Sequence, residues 1–344
     1  MSEIEDLVMN RREMTLREKM TGNQRGIALL TVLWILTVLM VIVFSFSYMA
    51  RTETLSTLSF KEGMEKRFLA EAGIERGVYE LFYRQKMQPS VIKGLVEGGE
   101  IWKIDGRLYS GQVGDGSYSV KIFDESGKIN INSAPEIVLR KLIEILGFEG
   151  IDVDTVVDSI MDWIDKDDIV HLHGAESEYY QSLPNPYKAK NAPFDTLEEL
   201  LLVKGVTREL LYGDGKKKGL IDFLTVYDTG GAININSASK EVIMAVSPGI
   251  DSEKADQIIS YRQNQEIKTI SEIEGIIGQQ PIQVLPINTS SSNIYTIESS
   301  GFKDKPQSGY AIRATVTLLD YKSQYKILYY KTPVTLKQNE TTSQ

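Results

Sequence analysis

The sequence contains no cysteine among its 344 residues. This absence excludes disulfide bonds, iron–sulfur clusters, zinc–thiolate sites and thiol nucleophiles. Histidine is scarce too, because only His171 and His173 occur. The chain also lacks a glycine-rich phosphate-binding loop, a nucleophile elbow and a His-Glu-x-x-His motif. We therefore expect no enzymatic activity.

Basic residues are outnumbered, with 38 Lys and Arg against 47 Asp and Glu and a formal net charge of −9 at pH 7. Neutralising nucleic-acid phosphates requires clustered Lys and Arg, so this balance makes nucleic acid an unfavourable partner. The hydrophobic content of 42% is enough for one large core or for two to three modest ones. We expect a multidomain protein.

The longest uncharged stretch is residues 27–50. At about 1.5 Å per helical residue, it is long enough to cross the hydrocarbon core of a bilayer. Basic residues precede it at Arg11, Arg12, Arg17, Lys19 and Arg25. Because basic residues beside a membrane helix stay in the cytoplasm, the rest of the chain is expected on the outer side of the inner membrane. No proline occurs before Pro89, which predicts one helix running to about Met87.

Two groups of strand-like segments flank a helical middle. Residues 116–123 alternate between polar and apolar side chains and are rich in β-branched and aromatic residues. Similar patterns return at 293–300, 310–319 and 325–330. This arrangement predicts an α+β fold. A head with an antiparallel sheet is interrupted by a large all-α insertion.

The insertion contains an internal repeat. Residues 128–134 and 232–238 share the sequence Ile-Asn-Ile-Asn-Ser-Ala, which predicts two related units. We expect Ser133 and Ser237 to cap the helices that follow. Residues 248–262 resemble a helix-hairpin-helix, a motif that can bind the DNA backbone through main-chain amides. A membrane-anchored DNA receptor is therefore an alternative function, although the acidic residues of this hairpin argue against it.

Six acidic residues lie within seventeen positions of the first unit. Carboxylate oxygens that converge from one loop suit Ca²⁺, which takes about 6 to 8 oxygen ligands. The expected ligands are Asp165, Asp167, Asp168, Glu176 and Glu178, with Asn191 as a further contributor. Two alternatives stay open. The cluster can be a solvated acidic surface, or it can hold zinc with His171 and His173 and activate water for hydrolysis.

Several blocks of the sequence resemble one family. They are Arg25–Leu36, Ala50–Glu53, Leu69–Arg76, Asp162–Asp168, Gly174–Tyr180, Pro186–Asn191 and Leu197–Val206. Together, and in this order, they resemble the K-type minor pseudopilins of type II secretion systems, and the resemblance covers most of the chain. It implies a pilin-like head, calcium in the inserted domain and no catalytic role. A minor pilin of a related type IV pilus is an alternative.

The resemblance also implies how the chain is processed and where it acts. Prepilin peptidase would cut between Gly26 and Ile27, with Arg25 ahead of the cut. Thr31 would then be the fifth mature residue, where most pilins carry glutamate and where the K-type family departs from it. The implied location is the inner membrane, with a single crossing, a cytoplasmic N-terminus and a periplasmic head that is later extracted into the pseudopilus. The implied partners are the I-type and J-type minor pseudopilins, the peptidase and the inner-membrane assembly platform.

These observations predict seven segments. They are a prepilin leader (1–26), a transmembrane and amphipathic helix (27–88), the first strands of the pilin-like head (89–126), a first inserted helical domain (127–228), a second inserted unit (229–285), the C-terminal strands of the head (286–335) and a disordered tail (336–344). Both inserted units are expected to resemble SAM or helix-hairpin-helix domains.

Overall fold

The structure is a computed structural model that describes residues 2–86, 102–278, 283–303, 309–319 and 324–334. The chain divides into two compact units, residues 1–65 and 66–344. The predicted tail at 336–344 lies outside the described residues. So do residues 87 and 88, where the first helix was predicted to end.

The first element is one α-helix, α1 (Ser2–Lys86). The prediction placed its start at residue 27, but the helix begins at Ser2. Glu, Met, Arg and Leu are frequent in residues 2–25 and favour a helix, and no proline interrupts them. Within α1, the segment Ile27–Gln85 is long and apolar enough to cross a membrane. The Thr31 hydroxyl donates to the carbonyl oxygen of Ile27 at 2.6 Å. A threonine hydroxyl can bond in this way to the preceding turn of its own helix.

The second unit contains a five-stranded antiparallel sheet in the order β1-β2-β7-β8-β9. Its strands are β1 (Asp105–Val113), β2 (Gly116–Asp124), β7 (Ile294–Phe302), β8 (Tyr310–Leu319) and β9 (Gln324–Lys331). The last turns of α1 pack on one face of the sheet, where Ile74 and Val78 join Val120, Ile297 and Ile312 in a buried core. The α+β fold and the antiparallel sheet are confirmed.

The chain between β2 and β7 forms the insertion. Its helices are α2 (Glu136–Leu146), α3 (Val153–Ile164), α4 (Ser177–Gln181), α5 (Arg208–Tyr212), α6 (Lys240–Val246), α7 (Ser252–Asn264) and α8 (Ile270–Ile277). It also contains two parallel strand pairs, β3 (Ile129–Asn130) with β4 (Leu224–Thr225) and β5 (Ile233–Asn234) with β6 (Ile287–Asn288). The insertion is therefore not purely helical. The second inserted unit, which was predicted to end at residue 285, extends to Asn288 at the end of β6.

The sequence repeat forms the same structure twice. Each Ile-Asn pair is a short strand, and the second asparagine of each copy holds a distant main-chain segment. Asn132 accepts from the Phe194 amide at 2.7 Å, and Asn236 accepts from the Ile267 amide at 2.9 Å. Two residues after Phe194 and Ile267, respectively, Thr196 and Thr269 each begin a capping box. The two units therefore match well beyond the sequence repeat.

The predicted helix caps are wrong. Helix α2 follows Pro135, which makes no side-chain cap, and α6 is capped by Ser239. Ser133 and Ser237 lie two positions before these cap residues, in turns where their amides donate to the carbonyl oxygens of Asn130 and Asn234. The two residues between each serine and its helix complete the turn, so neither hydroxyl can reach the first helical amides.

A buried polar cluster joins the insertion to the sheet. Asp124 is 2% exposed at the end of β2. Its Oδ2 atom accepts from Asn234 Nδ2 at 3.1 Å, and its Oδ1 atom accepts from the Ser292 hydroxyl at 2.8 Å and from the Ser126 amide at 3.0 Å. Buried hydrogen bonds to a charged group are among the stronger ones, so this carboxylate fixes the second inserted unit against the strands.

Candidate metal centre

The acidic loop begins where α3 ends, and aromatic packing anchors this end. Trp163 is 3% exposed. Its ring stacks on Phe194 with a centroid distance of 6.3 Å and meets Tyr180 edge-on at 5.3 Å. Since Trp163 is fixed in the core, the carboxylates that follow it lie at the edge of that core.

Three of the predicted ligands converge. Carboxylate oxygens of Asp165, Asp167 and Glu176 lie within 4.8 Å of one another. The loop is bent by its own side chains, because Asp165 Oδ1 accepts from the Asp167 amide at 3.4 Å and Asp167 Oδ1 accepts from the Ile169 amide at 2.9 Å. These bonds use one oxygen of each aspartate. The remaining oxygens are available for a cation.

Glu176 is the most informative member of the group. It is 6% exposed, and neither carboxylate oxygen has a hydrogen-bond partner within the described part of the chain. Burial, and after it the negative charges of Asp162, Asp165 and Asp168, together raise the pKa of this carboxyl to about 7. A buried, unpaired carboxylate is costly unless a proton or a cation neutralises it.

Asn191 lies beside this group, in contact with Asp167 and Asp168. Its side-chain oxygen is buried and has no partner among the described residues. The amide nitrogen donates to the carbonyl oxygen of Asp167 at 2.8 Å and to Asp168 Oδ1 at 3.3 Å. Asn191 has φ of 46°, a left-handed conformation that asparagine tolerates better than most residues. The orphaned amide oxygen, with the Glu176 oxygens, fits an oxygen-binding cation such as Ca²⁺.

The structure treats the other predicted ligands differently. Asp168 stays next to the group through Asn191. Glu178 is exposed on α4, and no metal-binding group found among the described residues includes it. Glu176 is the extended residue that precedes α4, whereas Glu178 lies within the helix and is exposed. We therefore correct the prediction by removing Glu178 from the candidate ligands.

Asp162 and His171 form part of the cluster that the ligand prediction did not include. Oxygens of Asp162 and Asp165 and a ring nitrogen of His171 also lie within 4.8 Å of one another. A sequence signal exists for the two aspartates, because residues three apart at the end of a helix share a face. No comparable spacing rule places His171, which returns to the helix only after a loop.

The hairpin between α6 and α7 offers little to a phosphate. Asp251 caps α7, and its Oδ1 atom accepts from the Lys254 amide at 2.9 Å. Lys254 Nζ donates to the carbonyl oxygen of Gly249 at 3.4 Å. A carboxylate therefore already lies at the helix N-terminus where a DNA phosphate would bind, and repulsion between the two anions disfavours the DNA-receptor alternative.

The comparisons with known proteins agree with one family. Two family models, both described as "Type II secretion system (T2SS), protein K", match residues 119–212 and 233–291. Over these residues the chain is similar to protein K of type II secretion systems. The two matched regions contain the candidate metal centre and the second repeat unit, respectively.

Among the curated protein K sequences, that of Pectobacterium carotovorum subsp. carotovorum is 26% identical over 204 residues, or 56% of this chain. That of Aeromonas hydrophila is 29% identical over 209 residues, or 54% of this chain. The matches span 61% and 60% of the lengths of these two relatives. The matched region thus spans about 60% of the length of each relative and leaves over a third of each unmatched.

A solved structure shares the fold. It is the GspK-GspI-GspJ complex from the type 2 secretion system of enterotoxigenic Escherichia coli, with a TM-score of 0.52 and 16% sequence identity. The similarity covers 82% of this chain and all of the matched chain. At this identity the comparison supports the fold.

Proposed function

We propose that this chain is a minor pseudopilin that forms the tip of a type II secretion pseudopilus. The observation that carries the proposal is the match of both inserted repeat units to protein K, together with the apolar helix ahead of them. The role is structural. The chain would anchor in the membrane and assemble with other subunits, and it would catalyse no reaction.

The membrane helix sets the proposed location. The large apolar side chains between Ile27 and Met49 are exposed in the isolated chain, as a lipid-facing helix requires. The basic residues ahead of Ile27 favour a cytoplasmic N-terminus and a periplasmic head. We propose that the helix holds the protein in the inner membrane until the assembly platform extracts it into the pseudopilus.

The proposed partners are the I-type and J-type minor pseudopilins. The solved neighbour is the GspK-GspI-GspJ complex, and the matched chain of that complex has a fold similar to that of this chain. Expressing this chain with its own I-type and J-type proteins should give one complex that survives detergent extraction and size-exclusion chromatography. A K-type chain that elutes alone from membranes containing both partners would contradict the proposal.

Calcium is the proposed structural cofactor. The carboxylates of Asp165, Asp167 and Glu176 and the side-chain oxygen of Asn191 would hold it, with Asp168 beside them. The unpartnered oxygens of Glu176 and Asn191 support this assignment. The ion would supply positive charge to a loop whose carboxylates otherwise repel one another, and so hold the loop in a single conformation.

Processing provides a separate prediction. If prepilin peptidase removes the leader, the mature protein begins at Ile27, and Gly26→Leu should accumulate as the unprocessed precursor. The reason is steric, because the peptidase must approach the backbone at Gly26, which has no side chain. Mass spectrometry of the membrane-extracted protein gives the N-terminus directly. Gly22→Leu is the matched control and should still be cut, whereas a wild-type chain that retains Met1 would contradict the prediction.

A further inference from the structure

A cavity of about 1120 Å³ lies between the sheet and the inserted units. Its sheet wall is the face that points away from α1. Lining residues such as Lys121 and Arg313 alternate along their strands with the core residues Val120 and Ile312, which face the helix. The opposite wall is formed by α5, α6 and α7. The residues proposed to hold calcium are not among the described residues that line it.

The carboxylates on the sheet side of this cavity already have partners. Arg107 binds Asp105 through two bonds, from Nε to Oδ1 at 3.0 Å and from Nη2 to Oδ2 at 2.8 Å. Glu298 accepts from Arg313 Nε at 2.8 Å. The other two sheet-side carboxylates are also hydrogen-bonded, and they are Asp124 and Glu125. Because their charges are offset locally, these groups repel an anion in the cavity less than free carboxylates would.

Arg262, near the end of α7, has no carboxylate within ion-pair distance in the described part of the chain. Its Nη1 atom donates to the main-chain oxygen of Ile235. Asp105 acts on its charge from further away, but Arg107 already holds that carboxylate. Burial therefore lowers the pKa of Arg262 to about 10. A guanidinium has five N–H donors, so most of them stay available to a ligand in the cavity.

Lys121 places a second positive charge on the sheet wall. It lies two residues along β2 from Phe123, so both side chains are on the same face, and Phe123 pairs with Asp105 of β1. Across to β7, Lys121 pairs in register with Glu298, whose carboxylate is already held from β8. Lys121 and the arginine of α7 therefore line the same cavity from opposite walls.

The two cations indicate the class of ligand. A guanidinium binds both oxygens of a carboxylate or a phosphate in a planar fork, and an ammonium adds a point charge beside it. We propose that Arg262 and Lys121 bind an oxyanion, a carboxylate or a phosphate group, in the cavity between the sheet and the second inserted unit. The anion would connect α7 to β2 and so hold this unit against the sheet. The site is independent of calcium and of the membrane helix.

The test follows the arginine side chains by NMR. Full-length protein labelled with ¹⁵N-arginine is held in uncharged detergent micelles with saturating Ca²⁺ and titrated with acetate or with methyl phosphate. Sodium chloride at equal ionic strength is the reference. We expect the Nε signal of Arg262, identified by its absence in Arg262→Lys, to shift and reach saturation with an oxyanion but not with chloride. The oxyanion that saturates at lower concentration distinguishes a carboxylate site from a phosphate site.

Two variants with the same substitution locate the site by calorimetric titration. Arg262→Lys should weaken oxyanion binding at least about tenfold, because an ammonium cannot form the two parallel bonds. Arg208→Lys is the matched control and should bind like wild type. Arg208 lines the same cavity but is exposed, and its guanidinium lies over the Tyr212 ring at 5.5 Å.

Three results would each overturn the oxyanion site. They are an Arg262 signal that does not respond or does not saturate, an equal response to chloride, and equal weakening in the two lysine variants. The wild-type titration decides the first two by itself, so the test does not depend on how well a variant folds.

Discussion

Calcium is expected to raise the melting temperature of the full-length protein in micelles, and a chelator is expected to lower it. A ligand that binds only the native state stabilises it by about 2.7 kcal/mol when present at a hundred times its dissociation constant. The effect should depend on Glu176, because its buried carboxylate has no other partner in the described chain. Glu176→Gln should therefore remove most of the calcium-dependent shift.

Glu178→Gln is the matched control for this experiment. The two residues have the same chemistry and lie two positions apart, but Glu178 is exposed and outside the converging group. It should keep the full calcium response. Equal responses of the two variants, or identical melting of the wild type in calcium and in chelator, would mean that the cluster is ordinary acidic surface.

In chelator, Glu176→Gln should change the stability of the protein in the opposite direction. Folding raises the pKa of Glu176 from an ordinary value near 4.5 to about 7. The folded state then holds the proton more tightly than the unfolded state, so this group makes the calcium-free protein lose stability as the pH rises from about 4.5 to about 7. Glu176→Gln cannot ionise. Without calcium, it should be more stable than the wild type above pH 7.

Gly301→Ala is expected to destabilise the head by about 3 kcal/mol, the upper part of the usual range for overpacking. Gly301 lies on β7 under α1, where the helix and the sheet approach closely. A Cβ atom there would overlap the carbonyl oxygen of Lys66 and would lie 2.5 Å from the amide nitrogen of Ala70. Both are main-chain atoms, so relief requires the helix to move away from the sheet.

Gly275→Ala is the control for the same change in chemistry. Gly275 lies inside α8, and among the described residues no atom outside its own helix backbone comes within 4 Å of a Cβ built there. Alanine favours a helix over glycine by about 0.5 to 1 kcal/mol, so this variant should be slightly more stable than the wild type. Urea unfolding of both variants measures the difference. Unchanged stability in Gly301→Ala would contradict the close helix–sheet contact.

Local patterns predicted much of this fold. The apolar run from Ile27, the alternation in residues 116–123 and the three C-terminal strand patterns each depend on neighbours in sequence, and the structure contains all of them. The short strands β3 to β6 were not predicted, because they depend on partners that are distant in sequence. Each has two residues, and its partner lies more than 50 residues away, so no local periodicity marks it.

The candidate site shows the same division. Composition was enough to select the acidic segment, and three of its five predicted ligands converge. The sequence could not distinguish Glu176 from Glu178, because the difference depends on where α4 begins and which side chain faces the core. Asn191 and His171 join the cluster by chain reversals of the loop, which no spacing within the sequence specifies.

The central claim is that this protein forms the tip of a pseudopilus, and subunit counting tests it most directly. Thr31 bonds within its own helix and offers no carboxylate to a neighbouring subunit, and the insertion between β2 and β7 would obstruct subunits stacked above it. Quantitative mass spectrometry of sheared pseudopili should therefore find this chain in amounts equal to the I-type and J-type subunits and far below the major pseudopilin. Amounts comparable to the major pseudopilin would contradict the tip position.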